Sequence, residues 1–162
     1  MANESKPISF QREETMLGKR EIASISRAIA VVLWADNKVL EEELVAARAL
    51  YARFGITWTR GKKVLEEELE ALLEYDSDGV DDAPLIVAPL VLETISPLEF
   101  IYELAKVACS DMEITWDEVD VLHLIGRAMV LDPRVVTAAL LKAMDANSGN
   151  VDIVMEGFDD GN

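Results

Sequence analysis

Shifted against itself by 75 positions, the 162-residue sequence comes into gap-free register with its own second half. Ile29 falls on Leu104, Ala30 on Ala105, Val32 on Val107 and Val39 on Ile114. Further along, Leu44 meets Val119, Leu50 meets Ile125, Phe54 meets Met129 and Ile56 meets Leu131. Apolar matches of this kind arise whenever two amphipathic helices are in phase, so alone they carry little weight. The acids carry more. Asp36 falls on Asp111, Glu42 on Asp117 and Glu43 on Glu118. Each half thus holds an Asp, a β-branched residue three positions on, and acids at the sixth and seventh. The repetition indicates an internal duplication. It predicts an all-α fold, a bundle of about seven helices built from two helix-loop-helix halves related by a pseudo-two-fold axis.

Local signals place the helices. Ile22, Ile25, Ile29, Val32 and Leu33 share one helical face. Leu44, Ala47, Leu50, Tyr51 and Phe54 define the next helix, which stops at Gly55, a natural C-terminal cap. Thr57 caps a third helix running to about Tyr75. From Asp76 to Asp82 the chain is rich in Asp with one Gly and leads to Pro84, which is turn chemistry and the boundary between halves at about 20–75 and 84–146. Ser96-Pro97-Leu98-Glu99 combines an N-cap, a first-turn proline and a capping glutamate. Thr115-Trp116-Asp117-Glu118 is a second capping box and opens a helix reaching Met129. Asp132-Pro133 starts the last helix, ending near Ala146. Alternating strand patterns are scarce. One domain is expected over 1–146, with an acidic tail, 147–162, that docks weakly or frays.

Composition narrows the function classes. Hydrophobic residues make up 51% of the chain, ample for a core, while 31 Asp and Glu against 15 Lys and Arg leave a net charge of −16. Such a polyanion is repelled by phosphate backbones and anionic membrane faces. Arg60, Lys62 and Lys63 sit beside an acidic run and form no basic stripe, so nucleic acid is not an expected partner. The longest apolar run, Pro84 to Leu92, is far short of the ~20 residues of a membrane span. No N-terminal stretch resembles a signal peptide. Cys109 is the only cysteine, so no intrachain disulfide forms, and its setting reads as a small buried hydrophobe. These points together indicate the cytoplasm. The one His and one Cys stand 14 residues apart, no Gly-rich phosphate loop is present, and an enzyme is not expected.

Two segments carry a resemblance to a known family. Ala35-Asp36-Asn37-Lys38-Val39-Leu40-Glu41-Glu42-Glu43 and Ser110-Asp111-Met112-Glu113-Ile114-Thr115-Trp116-Asp117-Glu118 both resemble the Ala-Asp-Gly-x-Ile-x-x-x-Glu signature of the tellurite-resistance TerB-like family. Related domains occur in a J-domain co-chaperone of bacterial membranes. The resemblance covers roughly residues 20 to 145. It implies an all-α fold with an acidic patch suspected of binding metal, in bacterial proteins linked to stress and tellurite resistance. The signature's loop glycine is replaced here by Asn37 and Met112. Asn tolerates the left-handed backbone that Gly supplies, and Met does so poorly.

In each half the Asp closes one helix and the acid pair opens the next. Carboxylate oxygens suit Ca²⁺ or Mg²⁺ better than zinc, so Asp36, Glu42, Glu43, Asp111, Asp117 and Glu118 are the candidate ligands of a divalent cation. The competing reading is local: acids in a first turn are favoured by the helix dipole and cap the helix start, and Asp forms turns. An EF-hand fails, because counting from Asp111 its glycine position is Trp116 and its final ligand position Leu122. A ferritin-like site fails for want of paired Glu-x-x-His motifs, and His123 is expected to be a partly buried structural residue. Trp34, Trp58 and Trp116 are either core residues or the walls of a groove for a partner helix or a small apolar ligand. The expected protein is a non-enzymatic cation-binding module acting through partner proteins. Its alternative is a metal-free interaction module. A homodimer is compatible with either.

Overall fold

Between Ala28 and Leu33 every side chain is buried, and a helix apolar on all sides belongs at the centre of a fold. That stretch lies in α1, Lys19–Trp34. Five more helices follow: α2 (Glu41–Arg53), α3 (Trp58–Ser77), α4 (Pro97–Ala108), α5 (Trp116–Ala128) and α6 (Pro133–Ala146). Two short strands complete the fold, β1 (Glu113–Thr115) and β2 (Asp152–Val154). The computed structural model describes residues 17–35, 39–77, 90, 92–146 and 152–154. The expected turn at 78–82 and the apolar run from Pro84 to Val91, apart from Leu90, lie outside them.

The second central helix is α4, which buries Phe100, Ile101, Leu104, Ala105, Val107 and Ala108 and packs on α1. Its start follows the sequence signals: Ser96 accepts a hydrogen bond from the Glu99 amide at 3.3 Å, with proline in the first turn. The most extensive packing is of α1 against α3 and of α4 against α6. The helix α2 rests on α3 and α4, and α5 rests on α1, α4 and α6. Arg27 on α1 pairs with Glu68 on α3 at 3.2 Å, and the buried Ser26 hydroxyl meets the Tyr51 hydroxyl at 2.6 Å.

Several local features recur at the 75-residue offset. Both α2 and α5 are 13 residues long, and their first residues, Glu41 and Trp116, stand at that spacing, as do Trp58 and Pro133 opening α3 and α6. Both 13-residue helices end in the same hydrogen-bonded cap. Ile56 N–H donates to Tyr51 O and Leu131 N–H donates to Gly126 O, each at 2.8 Å, across a residue with positive φ, Gly55 at 79° and Val130 at 61°. This is the Schellman ending. Glycine adopts it freely; a β-branched valine does so under strain.

The packing inside each helix pair is inverted between halves. In the first, the Tyr51 ring lies against Gly61, where a Cβ would come within 2.8 Å of the ring. In the second, the equivalent of Tyr51 is Gly126, and it faces Val136 so closely that a Cβ would stand 2.5 Å from Val136 Cγ2. Large meets small in both, with the sizes exchanged.

Two features were not expected from the sequence. Rather than fraying throughout, the tail contributes β2, which runs parallel to β1 with Ile114 opposite Ile153. Glu21, buried in the first turn of α1, accepts three backbone hydrogen bonds on one oxygen, from the amides of Glu93, Thr94 and Ile95 at 3.1, 2.8 and 3.1 Å. That carboxylate ties the segment leading into α4 to the start of α1.

Candidate functional site

The acids expected to bind a cation divide by their surroundings. Glu43 is fully buried, and its Oε1 accepts from the Leu40 amide at 3.0 Å. Glu118 is 2% exposed, and its Oε1 accepts from the Thr115 amide at 2.9 Å. Both therefore turn back onto the residue that opens their own helix. In the second half the box is complete, because the Thr115 hydroxyl accepts from the Glu118 amide at 3.0 Å. In the first half Leu40 has no side-chain oxygen, so only the glutamate arm forms. Asp111 accepts from the Glu113 amide at 3.1 Å, a turn-forming bond within its loop. Glu42 and Asp117, at matching positions, are exposed. Asp36 lies outside the described residues. Among the described residues, no group of three or more His, Cys, Asp or Glu side chains gathers in a way that could hold a metal.

The loop that resembles the family signature keeps its backbone without its glycine. Met112 stands at φ 67°, in the left-handed region, where the signature has Gly. Leu40 and Thr115 are both extended, at φ −94°, ψ 156° and φ −87°, ψ 159°.

The two helix entries meet across one surface groove. It encloses about 780 Å³ and is lined by Glu41, Glu42, Val45, Ala46 and Ala49 from α2, by Lys106 and Ser110 at the end of α4, and by Ala146. Its floor is apolar, its α2 rim is acidic, and Val45 is 62% exposed. Glu42 is the one expected ligand that lines it. No tryptophan does: Trp34 and Trp58 pack half-buried against the core, Trp58 beside the Tyr51 ring at 6.1 Å, and Trp116 is exposed at the start of α5. The groove escaped sequence reading because its walls come from three helices, and small residues such as Ala46 and Ala49 look like ordinary helix filler.

The two residues that nucleophilic chemistry would draw on are held in structural places. Cys109 is fully buried. Burial, followed by the nearby charges of Glu118 and Asp111, pushes its thiol from the ordinary value of 9.0 up to about 12. His123 bridges two helices, Nδ1 to Val119 O at 3.1 Å and Nε2 to the Thr137 hydroxyl at 3.2 Å. Burial likewise holds the Tyr51 phenol well above its usual range.

No protein-family model, no curated protein and no solved structure matches the chain. The likeness to the TerB-like family rests on the two motifs themselves. No helix among the described residues is long and apolar enough to cross a membrane.

Proposed function

We propose that this chain is a duplicated, non-enzymatic helical module that binds a partner protein through the groove between α2, α4 and α6. The observation that carries the reading is the groove's chemistry: an apolar floor of Val45, Ala46 and Ala49 beneath the exposed carboxylates of Glu41 and Glu42. A matching segment carries apolar side chains flanked by Lys or Arg, and a chain of net charge −16 attracts it from a distance. The recurrence of helix starts, caps and Schellman endings at one offset supports the duplication. The burial of Cys109 and the bridging role of His123 support a non-catalytic role. The motif resemblance favours a cytoplasmic bacterial protein working in a stress response.

A second reading keeps one observation of its own. Glu42 and Asp117 are exposed at equivalent positions, and each can offer oxygen ligands to Ca²⁺ or Mg²⁺ beside Asp36 or Asp111. Calorimetric titration of the full chain separates the two. A synthetic peptide alternating Val and Arg is expected to bind, to weaken at least tenfold in Ala49→Arg and Glu42→Lys, and to be indifferent to a chelator. Saturable heat with Ca²⁺, Mg²⁺, Mn²⁺ or Zn²⁺ that vanishes in Glu42→Gln/Asp117→Asn, with no peptide binding, would decide for the cation.

A further inference from the structure

The entry to α5 is covered by a strand, and the equivalent entry to α2 is not. In β1 the Glu113 amide is taken by Asp111 and the Thr115 amide by Glu118. Amides alternate sides along a strand, so the N–H and C=O of Ile114 are the ones turned toward β2. Ile114 is 0% exposed. At the matching place in the first half, Leu40 has the same extended backbone and the same glutamate on its amide at nearly the same distance. That arrangement turns the N–H and C=O of Val39 to the open side. Among the described residues no strand pairs there, and Val39 is 44% exposed.

We infer that Val39 is the receiving position for an extended segment of a partner protein, which pairs with it as a parallel strand in the way β2 pairs with β1. The inference rests on the groove reading, since Val39 lies two residues before the rim carboxylates Glu41 and Glu42. Main-chain hydrogen bonds supply affinity in such strand addition, and the flanking side chains supply specificity. The chain's own tail is the other candidate donor, and charge argues against it. The tail carries Asp152, Glu156, Asp159 and Asp160, which the run Glu41-Glu42-Glu43 repels. The occupant is a β-branched segment bearing basic residues.

The test is amide exchange and chemical-shift mapping on the full ¹⁵N-labelled chain. The probes are a six-residue peptide alternating Val and Arg and, separately, a peptide of the chain's own Asn150–Met155. The Val/Arg peptide is expected to slow Val39 amide exchange at least tenfold and to lose at least tenfold in affinity in Val39→Pro, which removes the donor. Val39→Lys, at an exposed position, repels the peptide while sparing the fold and gives the same loss. Shifts confined to Val45, Ala46 and Ala49 with Val39 exchange unchanged overturn the strand and leave the groove. Absence of any binding overturns both. Equal binding of the Asn150–Met155 peptide overturns the choice of a basic partner and points to a second copy.

Discussion

At Leu40 and at Thr115 the chain enters a 13-residue helix in the same way, with an extended residue, a buried glutamate three positions on and a β-branched residue just before. Around those entries the two halves diverge. The second has a complete capping box, a strand laid over it and a fully buried isoleucine; the first has half a box, an exposed valine and a groove beside it. The divergence teaches what the shared acids do. Glu43 and Glu118 recur because each half must satisfy an amide at a helix start, a buried backbone donor that costs free energy when left unpaired. What differs between halves, not what they share, is therefore where binding is to be sought.

The largest expected effect tests the glutamates. Glu118→Ala removes the acceptor for the Thr115 amide and hydroxyl, and should lower unfolding free energy in urea by about 3 kcal/mol; Glu43→Ala, with one such bond to lose, should cost about 2 kcal/mol. An equal and negligible cost in both would show that the carboxylates have another task. Next comes the exchanged packing. Gly126→Ala forces a Cβ against the stiff Val136 side chain and should cost about 2 kcal/mol despite alanine's better helix propensity. Adding Val136→Ala should recover part of that loss, so that the double variant is more stable than the sum of the singles predicts.

The two Schellman endings give a smaller effect with opposite signs. Val130 is 91% exposed at positive φ, so Val130→Gly should stabilise by about 1 kcal/mol, while Gly55→Ala should destabilise by about as much. Met112→Gly should also stabilise, for the same reason as Val130→Gly. The smallest effect is alkaline. Cys109, which occupies the place of Trp34 in the second half, has a raised folded pKa. Its contribution is intact below pH 9, where both states hold the proton. It is lost as pH rises from 9 toward 12, because the unfolded chain releases a proton that the folded chain retains. At pH 9 the loss is only roughly 0.4 kcal/mol, and buried Tyr51 adds to it with the same sign at higher pH. Iodoacetamide at pH 8 should leave Cys109 unmodified in the folded chain and alkylate it in urea.

Much of the helical layout was legible because its signals are local. Ser96-Pro97, Thr115 with Glu118, Thr57 and Gly55 each act within four residues, and each does in the structure what its chemistry predicts. The third helix overran its expected end by two residues, reaching Ser77. What escaped was non-local. Nothing in three residues such as Asp152–Val154 announces a strand, and their partner lies 39 positions earlier. Glu21 reads as an ordinary first-turn acid until the chain returns at Glu93 to meet it. The six acids were legible as a repeated pattern, and Glu43, Glu118 and Asp111 turn out to hold main-chain amides; which surface they leave for binding depended on how three helices converge.

Amide hydrogen exchange of Val39 and Ile114 in the full, unliganded chain tests most directly whether one entry is closed and the other open. The Leu40 and Thr115 amides, each held by its own glutamate, serve as matched controls and should exchange at similar rates. The expected result is Ile114 at least a hundredfold slower than Val39, with that difference abolished when residues 147–162 are removed. Equal protection at Val39 and Ile114 in the full chain would contradict it.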